Sequence, residues 1–350
     1  MDTYWIWFSL LSYIGPVLQK RILKEFESPK DIYHASRAKL ESIPKLNKRA
    51  VHSIINNRDL EVAKRILEKC DQKGIKLLSF SNHLYPTFAK SAKESPILLY
   101  YRGHLKEITH SIGVVGSRRC TAYGRKTAEE IGIHLASQGI PLISGFAKGI
   151  DSYTQSSCIN HGGYTILFLA GGVDICYPRE QEKLYHKTIE NGGVFLSQYP
   201  PGTTPSPKQF LQRNALISAW SEELIVVEAS QKSGALWTAD FANKQGKTIY
   251  AVPHSIYSPE GKGCNLLLSQ GAVPYLGVDG ITLSHSVKPT FTPQLFQEED
   301  FILNCLTECP TEISTLAKKL HTTESEVIDK LLLLELEAKV IIRGEMVSRY

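Results

Sequence analysis

The chain has 350 residues, 42% hydrophobic and 21% charged, with 40 Lys and Arg against 35 Asp and Glu for a net charge of +5. This composition excludes wholesale disorder and collagen-like repeats, and the length calls for two or three domains of roughly 150 residues. Seven cysteines form neither a CxxC pair nor a Cys/His cluster, which argues against the common zinc arrangements and for reduced thiols in a cytoplasmic protein.

Tyr4 to Pro16 is apolar and carries Trp5, Trp7 and Phe8. It lacks a basic leader and a small-residue cleavage site, and it is too short for a bilayer. It predicts a buried first helix, and no membrane insertion is expected. Residues 1–75 read as short helices, with Leu18, Ile22 and Phe26, then Val62, Ile66 and Leu67, at helical spacing. The turns Tyr13-Ile14-Gly15-Pro16 and Ile43-Pro44-Lys45-Leu46-Asn47 each lead into a basic helix, the pattern of a SAM-like or helix–hairpin–helix domain. Turns of that second kind can offer backbone N–H groups to phosphate. A purely structural helical domain fits the residues equally well, since only the first turn has its glycine.

The pattern then changes. Ile112–Gly116, Pro141–Gly145, Thr165–Ala170, Val194–Ser197, Leu224–Glu228 and Thr248–Val252 are short apolar runs, separated by helical stretches such as Gly124–Ser137, Glu180–Glu190 and Gly234–Lys244. Continuous apolar strands alternating with helices predict an α/β domain over 76–285, a doubly wound, Rossmann-like and mostly parallel sheet. Pro289 and Pro293 mark a linker at 286–297. In 298–350, Phe301–Leu306, Ile313–Leu320 and Val327–Leu336 predict three helices before a two-strand wing around Gly344, a winged-helix-like domain. Charge divides along the same lines. Residues 1–80 hold 15 Lys and Arg against 9 Asp and Glu, whereas 298–350 hold 6 against 11. The last segment has the wrong sign for gripping phosphate.

Ligands of open parallel sheets bind beyond the carboxyl ends of the strands. Those ends carry Gly116-Ser117-Arg118-Arg119, Ser144-Gly145-Phe146-Ala147-Lys148-Gly149-Ile150-Asp151, Gly171-Gly172-Val173-Asp174 with Tyr177-Pro178, and Glu228-Ala229-Ser230. A Pro-rich loop delivers Lys208-Gln209-Phe210-Leu211-Gln212-Arg213-Asn214. Glycine turns admit an anionic backbone close to N–H groups, and Arg118, Lys148, Lys208 and Arg213 make the crevice cationic. Tyr123, Phe146, Tyr177, Tyr199 and Phe210 are interleaved with them, the layout for single-stranded nucleic acid, with Phe210 the expected exposed ring. GxGxxG after the first strand, HExxH and GxSxG are all absent. Asp151, Asp174 and Glu228 are too scattered for an acid–base pair, so no catalysis, cofactor or metal is expected. Asp151 reads as a helix N-cap following Gly149.

Taken in order, GSR…YG, SGxAxGID, GGxDxxYP, YPPGTxP, FxxRN…IS, VVEAxxSGxLxTA, AVP and GxNxLLxxGA resemble the DNA-processing protein A family, also called Smf, over most of Tyr85–Ala272. The Leu331–Leu336 run is similar to the family's C-terminal winged helix. The resemblance implies a single-stranded-DNA-binding protein of natural transformation. It would protect incoming DNA in competent cells and help load the RecA recombinase for homologous recombination, as a homodimer. The expected DNA-binding set is then Ser117, Arg118, Gly145, Lys148, Lys208, Phe210, Arg213 and Asn214. Four positions depart from the family pattern: Gln181 replaces Asn, Leu211 Pro, Ala215 Arg and His254 Gly. Ala215 would remove a basic group near the pocket. The alternative is a nucleotide-binding enzyme of the lysine-decarboxylase-like phosphoribohydrolase type, or a molybdenum-cofactor carrier, on a similar sheet. It would use Glu228 and the Ser233–Leu236 helix start, but its PGGxGTxxE run is missing and Gly171-Gly172-Val173-Asp174 is the nearest feature.

Overall fold

The computed structural model describes residues 2–278, 302–303, 305–306, 310–320, 322–336 and 339–349. The linker expected at 286–297 lies outside the described residues, as does part of the helix expected at 301–306. The chain divides into two compact units, Met1–Leu268 with Ala272–Pro289, and Ser269–Gly271 with Thr290–Tyr350.

The first unit opens with helices α1 (Asp2–Leu10), α2 (Pro16–Leu23), α3 (Pro29–His34), α4 (Arg37–Glu41), α5 (Lys48–Asn56) and α6 (Glu61–Gln72). Local chemistry sets their starts. Pro16 and Pro29 occupy first-turn positions where no N–H is needed, and the Asn47 side chain accepts the Ala50 N–H at 2.8 Å. Ile6, Trp7 and Phe8 of α1 are buried, and they belong to one core with Tyr100, Phe146 and Phe195 of the sheet domain. The helices are thus packed onto the sheet.

That sheet has strands β1 (Lys76–Ser79), β2 (Leu98–Gly103), β3 (Ile112–Val115), β4 (Leu142–Ser144), β5 (Thr165–Phe168), β6 (Val194–Ser197), β7 (Glu223–Val226), β8 (Thr248–Ala251) and β9 (Val273–Pro274), in the order β1-β2-β6-β5-β4-β3-β7-β8-β9. From β6 to β9 all pairs are parallel; β2 is antiparallel to both neighbours. The expected mostly parallel α/β sheet is present. The antiparallel β1–β2 edge was not foreseen, although the run Ile97-Leu98-Leu99-Tyr100-Tyr101 carried its signal.

The connecting helices are α7 (Thr87–Ser91), α8 (Ala122–Ser137), α9 (Ile150–Asn160), α10 (Glu182–Glu190), α11 (Pro207–Ala219), α12 (Gly234–Lys244) and α13 (Lys262–Ser269). Ile112, Val114 and Leu142 pack with Ala128 and Ile131 of α8 and Ile150 of α9. One expectation needs correcting here. Lys208–Asn214 is not a loop but the first two turns of α11, because Ser206 is extended and Pro207 is preset for a helix start. From β3 the chain steps through β4, β5 and β6 on one side, then crosses to β7 on the other. β3 is therefore the topological switch point, where ligands of such sheets bind.

The second unit contains β10 (Thr311–Glu312), α14 (Ile313–Lys319), α15 (Glu324–Leu336), β11 (Val340–Arg343) and β12 (Met346–Arg349), with an antiparallel sheet ordered β10-β12-β11. Its own core joins Leu306, Leu316, Val327, Leu331, Leu334 and Val347. Among the described residues no helix is long and apolar enough to cross a membrane, and no His/Cys/Asp/Glu cluster could hold a metal ion.

Candidate nucleic-acid interface

The loops after β3 and β4 meet backbone to backbone. Ile150 N–H donates to Ser117 O at 3.1 Å, and a Cβ on Gly149 would lie 2.2 Å from that same oxygen. Gly149 also has φ +83°, so only glycine suits both the turn and the approach. The next strained position is Phe146, at φ +132° in a region side chains rarely adopt. Three bonds hold it there: Gln181 Nε2 donates to Phe146 O at 3.0 Å, and Asp151 Oδ2 accepts the N–H groups of Phe146 and Ala147 at 3.4 and 3.2 Å. Asp151 is therefore not the N-cap of α9, a place Gly149 takes; it is a buried acceptor tying down the β4 turn.

Over these turns lies a cavity of about 590 Å³, lined by Arg118, Arg119, Phe146 and Lys148 together with Tyr177, Arg179, Glu180, Phe210 and Arg213. The ring of Phe210 is half-buried, with the guanidinium carbons of Arg118 and Arg213 at 5.3 and 5.6 Å from its centroid and Tyr177 at 5.7 Å. Arg118 is exposed; Arg213 is 5% exposed, donating from Nη1 to Phe168 O at 2.8 Å and from Nε to Asn214 Oδ1 at 3.1 Å. Gly145 leaves room for Arg213 and Asp151 together, since a Cβ there would sit 2.7 Å from Arg213 Nη1 and 2.6 Å from Asp151 Oδ2. Burial pushes Asp151 up to about 6 against the pull of Arg213 and pulls Arg213 down to about 10. Both shifts come from desolvation, which disfavours each charged form.

The expected site residues separate into three groups. Arg118, Lys148, Phe210 and Arg213 converge on the cavity. Ser117 and Gly145 build its turns: Ser117 Oγ bonds within its own loop, donating to Arg119 O at 2.9 Å. Lys208 and Asn214 stand outside its lining. Asn214 Nδ2 instead donates to Gly234 O at 3.1 Å, joining α11 to α12. Arg119, Arg179 and Glu180 were not singled out, though Arg119 directly follows the glycine turn. Lys148 is exposed but engaged, 3.1 Å from Glu180 Oε1. Two departures also resolve. Gln181 holds the Phe146 carbonyl, and Ala215 is fully buried on α11. Tyr199 does not line the crevice but donates to Gln212 Oε1 of α11.

Glu228, the acid on which an enzymatic alternative would depend, is fully buried. Its carboxylate accepts the Thr121 N–H at 3.1 Å and the Thr121 hydroxyl at 2.6 Å, where Thr121 caps α8. This engagement, with the missing glycine-rich run, does not favour that alternative.

The fold and crevice define a class: an open, mostly parallel α/β sheet whose switch point is roofed by cations and aromatic rings. The sequence pattern of the family described as DNA recombination-mediator protein A matches residues 76–285, and the chain belongs to that family. Protein Smf of Synechocystis sp. is 32% identical over 293 residues, 82% of this chain and 73% of that protein. DNA processing protein DprA of Bacillus subtilis is 36% identical over 210 residues, 59% and 70% of the two chains. The X-ray structure of DNA processing protein A from Streptococcus pneumoniae superposes with a TM-score of 0.67 at 27% identity, covering 80% of this chain and 96% of that one. The Helicobacter pylori protein, solved for its unique single-stranded DNA binding mode, gives a TM-score of 0.53 at 28% identity, covering 58% and 93%.

Proposed function

We propose that this protein binds single-stranded DNA in the crevice at the carboxyl end of β3 to β5, without catalytic turnover, and protects it during natural transformation. The observation that carries the reading is Phe210 set beside the Arg118 and Arg213 guanidiniums in the cavity wall. Flat groups for base stacking beside cations for phosphate are what a sequence-tolerant single-strand site needs. The Helicobacter pylori relative supports the same ligand. In this reading Arg118, Arg119 and Arg179 meet phosphates, Phe210 and Tyr177 offer faces to bases, and buried Arg213 fixes the floor. Family membership extends the proposal to delivery of the strand to a RecA-type recombinase, by a cytoplasmic homodimer. The N-terminal helices correspond to a SAM-like domain and the acidic second unit to a winged helix that contacts protein.

The test is a salt series on oligothymidine. Arg118→Ala should lower the slope of log K against log salt by about 0.7, the loss of one phosphate contact. Phe210→Ala should cost about 1–3 kcal/mol with little change in slope. Lys187→Ala, at an exposed position of α10, serves as control. Should Arg118→Ala match that control with its fold intact, the crevice is not the site.

A further inference from the structure

A second cationic groove, sharing no residue with the crevice, lies where α2 meets the segment after β1. Lys20, Arg21 and Lys24 from α2 and its C-cap, with Lys90 and Lys93 from α7 and beyond, line a cavity of about 560 Å³ beside the half-buried ring of Phe80. The ammonium groups of Lys20 and Lys90 stand 5.9 and 5.6 Å from that ring centroid. Lys20 donates to the carbonyls of Ala92 and Lys93, at 2.5 and 3.1 Å, which locks the two walls together.

Helix C-termini attract lysine, and both walls end in one. Each C-terminus supplies about −0.5 of a charge. Glu27 in the lining and Glu94, which acts on the charge of Lys20, supply two more negative charges, and Glu94 already accepts from Gln245 Nε2 at 3.1 Å. Five cations exceed all of these together, so the groove keeps a positive surplus. Lys24 and Lys93 are exposed at its mouth. A concave surface of this charge fits a flexible single strand better than the convex cylinder of a duplex. We propose that this groove is a second binding site for the backbone of single-stranded nucleic acid, separate from the crevice.

The full-length protein is tested on long oligothymidine by fluorescence anisotropy across a salt series. The variants are Lys24→Ala with Lys93→Ala, Arg118→Ala, and all three together. The paired lysine variant should lower the salt slope by about 1.4 and the triple variant by about 2.1. Unchanged melting and circular dichroism would establish the fold, and the corresponding glutamine pair repeats the readout should alanine loosen the end of α2. If the lysine pair keeps the wild-type slope while Arg118→Ala loses its share, the second site is refuted and the crevice stands. If Arg118→Ala is silent while the lysine pair falls, the crevice reading fails and this groove stands. Preferential capture of polyglutamate over oligothymidine, abolished in the lysine pair, would make it an acidic-protein surface and overturn the proposal.

Discussion

Replacing Asp151 by Asn should flatten one specific part of the pH–stability profile. Asp151 is 5% exposed, and burial lifts its carboxyl from an ordinary 3.8 to about 6 despite Arg213. At 1.36 kcal/mol per pH unit, ionising it costs the folded protein about 3 kcal/mol more than the unfolded chain. The folded value is raised, so its contribution to stability is fully present well below the unfolded value of 3.8 and is lost as pH rises through about 6. Arg213, held near 10, stays charged throughout that window. Asn keeps an oxygen for the Ala147 N–H but does not titrate. The wild-type minus variant difference in unfolding free energy should therefore fall by about 2 kcal/mol between pH 4 and pH 7, other groups cancelling. Urea unfolding followed by tryptophan fluorescence measures it well, because Trp5, Trp7, Trp220 and Trp237 all lie in the first unit. Parallel profiles, or a wild type that gains on the variant as pH rises, would refute the argument. If the crevice binds DNA as proposed, protonating Asp151 also leaves Arg213 uncompensated. Oligothymidine should then bind more tightly at pH 5 than at pH 7 in the wild type alone.

What the sequence made legible were features set by neighbours in the chain. Apolar runs of four to six residues located β3 to β8, with glycine at the ends of β3, β4 and β5, and the sheet brings those ends together whatever the intervening length. Features set by distant pairs stayed hidden. Asp151 and Arg213 are 62 positions apart, and nothing local shows that both are buried beside Gly145. The Lys148–Glu180 pair, 32 positions apart, is hidden for the same reason. The loop reading of Lys208–Asn214 was a different failure, since a helical signal was available. Leu211, Ala215 and Ser218 recur at i, i+4 and i+7 after a proline, and all three are buried. That phase puts Ala215 on the buried side of the helix, which the motif letters alone do not show.

The remaining predictions turn on such placements. Glu180→Gln should tighten oligothymidine binding a few-fold at low salt by releasing exposed Lys148; unchanged affinity would mean that Lys148 does not contact the strand. A chain ending at Val287 should keep most of its single-strand affinity, because the two units have separate cores and the removed part is acidic; loss of binding with the first unit folded would contradict this. Ala215→Arg restores the letter that the family pattern carries, and should harm the protein. The position is fully buried, so a guanidinium there is either left without a partner in the core, at about 3–5 kcal/mol, or forces α11 outward. Since α11 also presents Phe210 and Arg213, outward movement would disturb the crevice as well. The expected result is a lower urea midpoint together with weaker oligothymidine binding. An Ala215→Arg protein with a wild-type midpoint and tighter binding would show that this face of α11 looks into the crevice, and that the phase assigned to the helix is wrong.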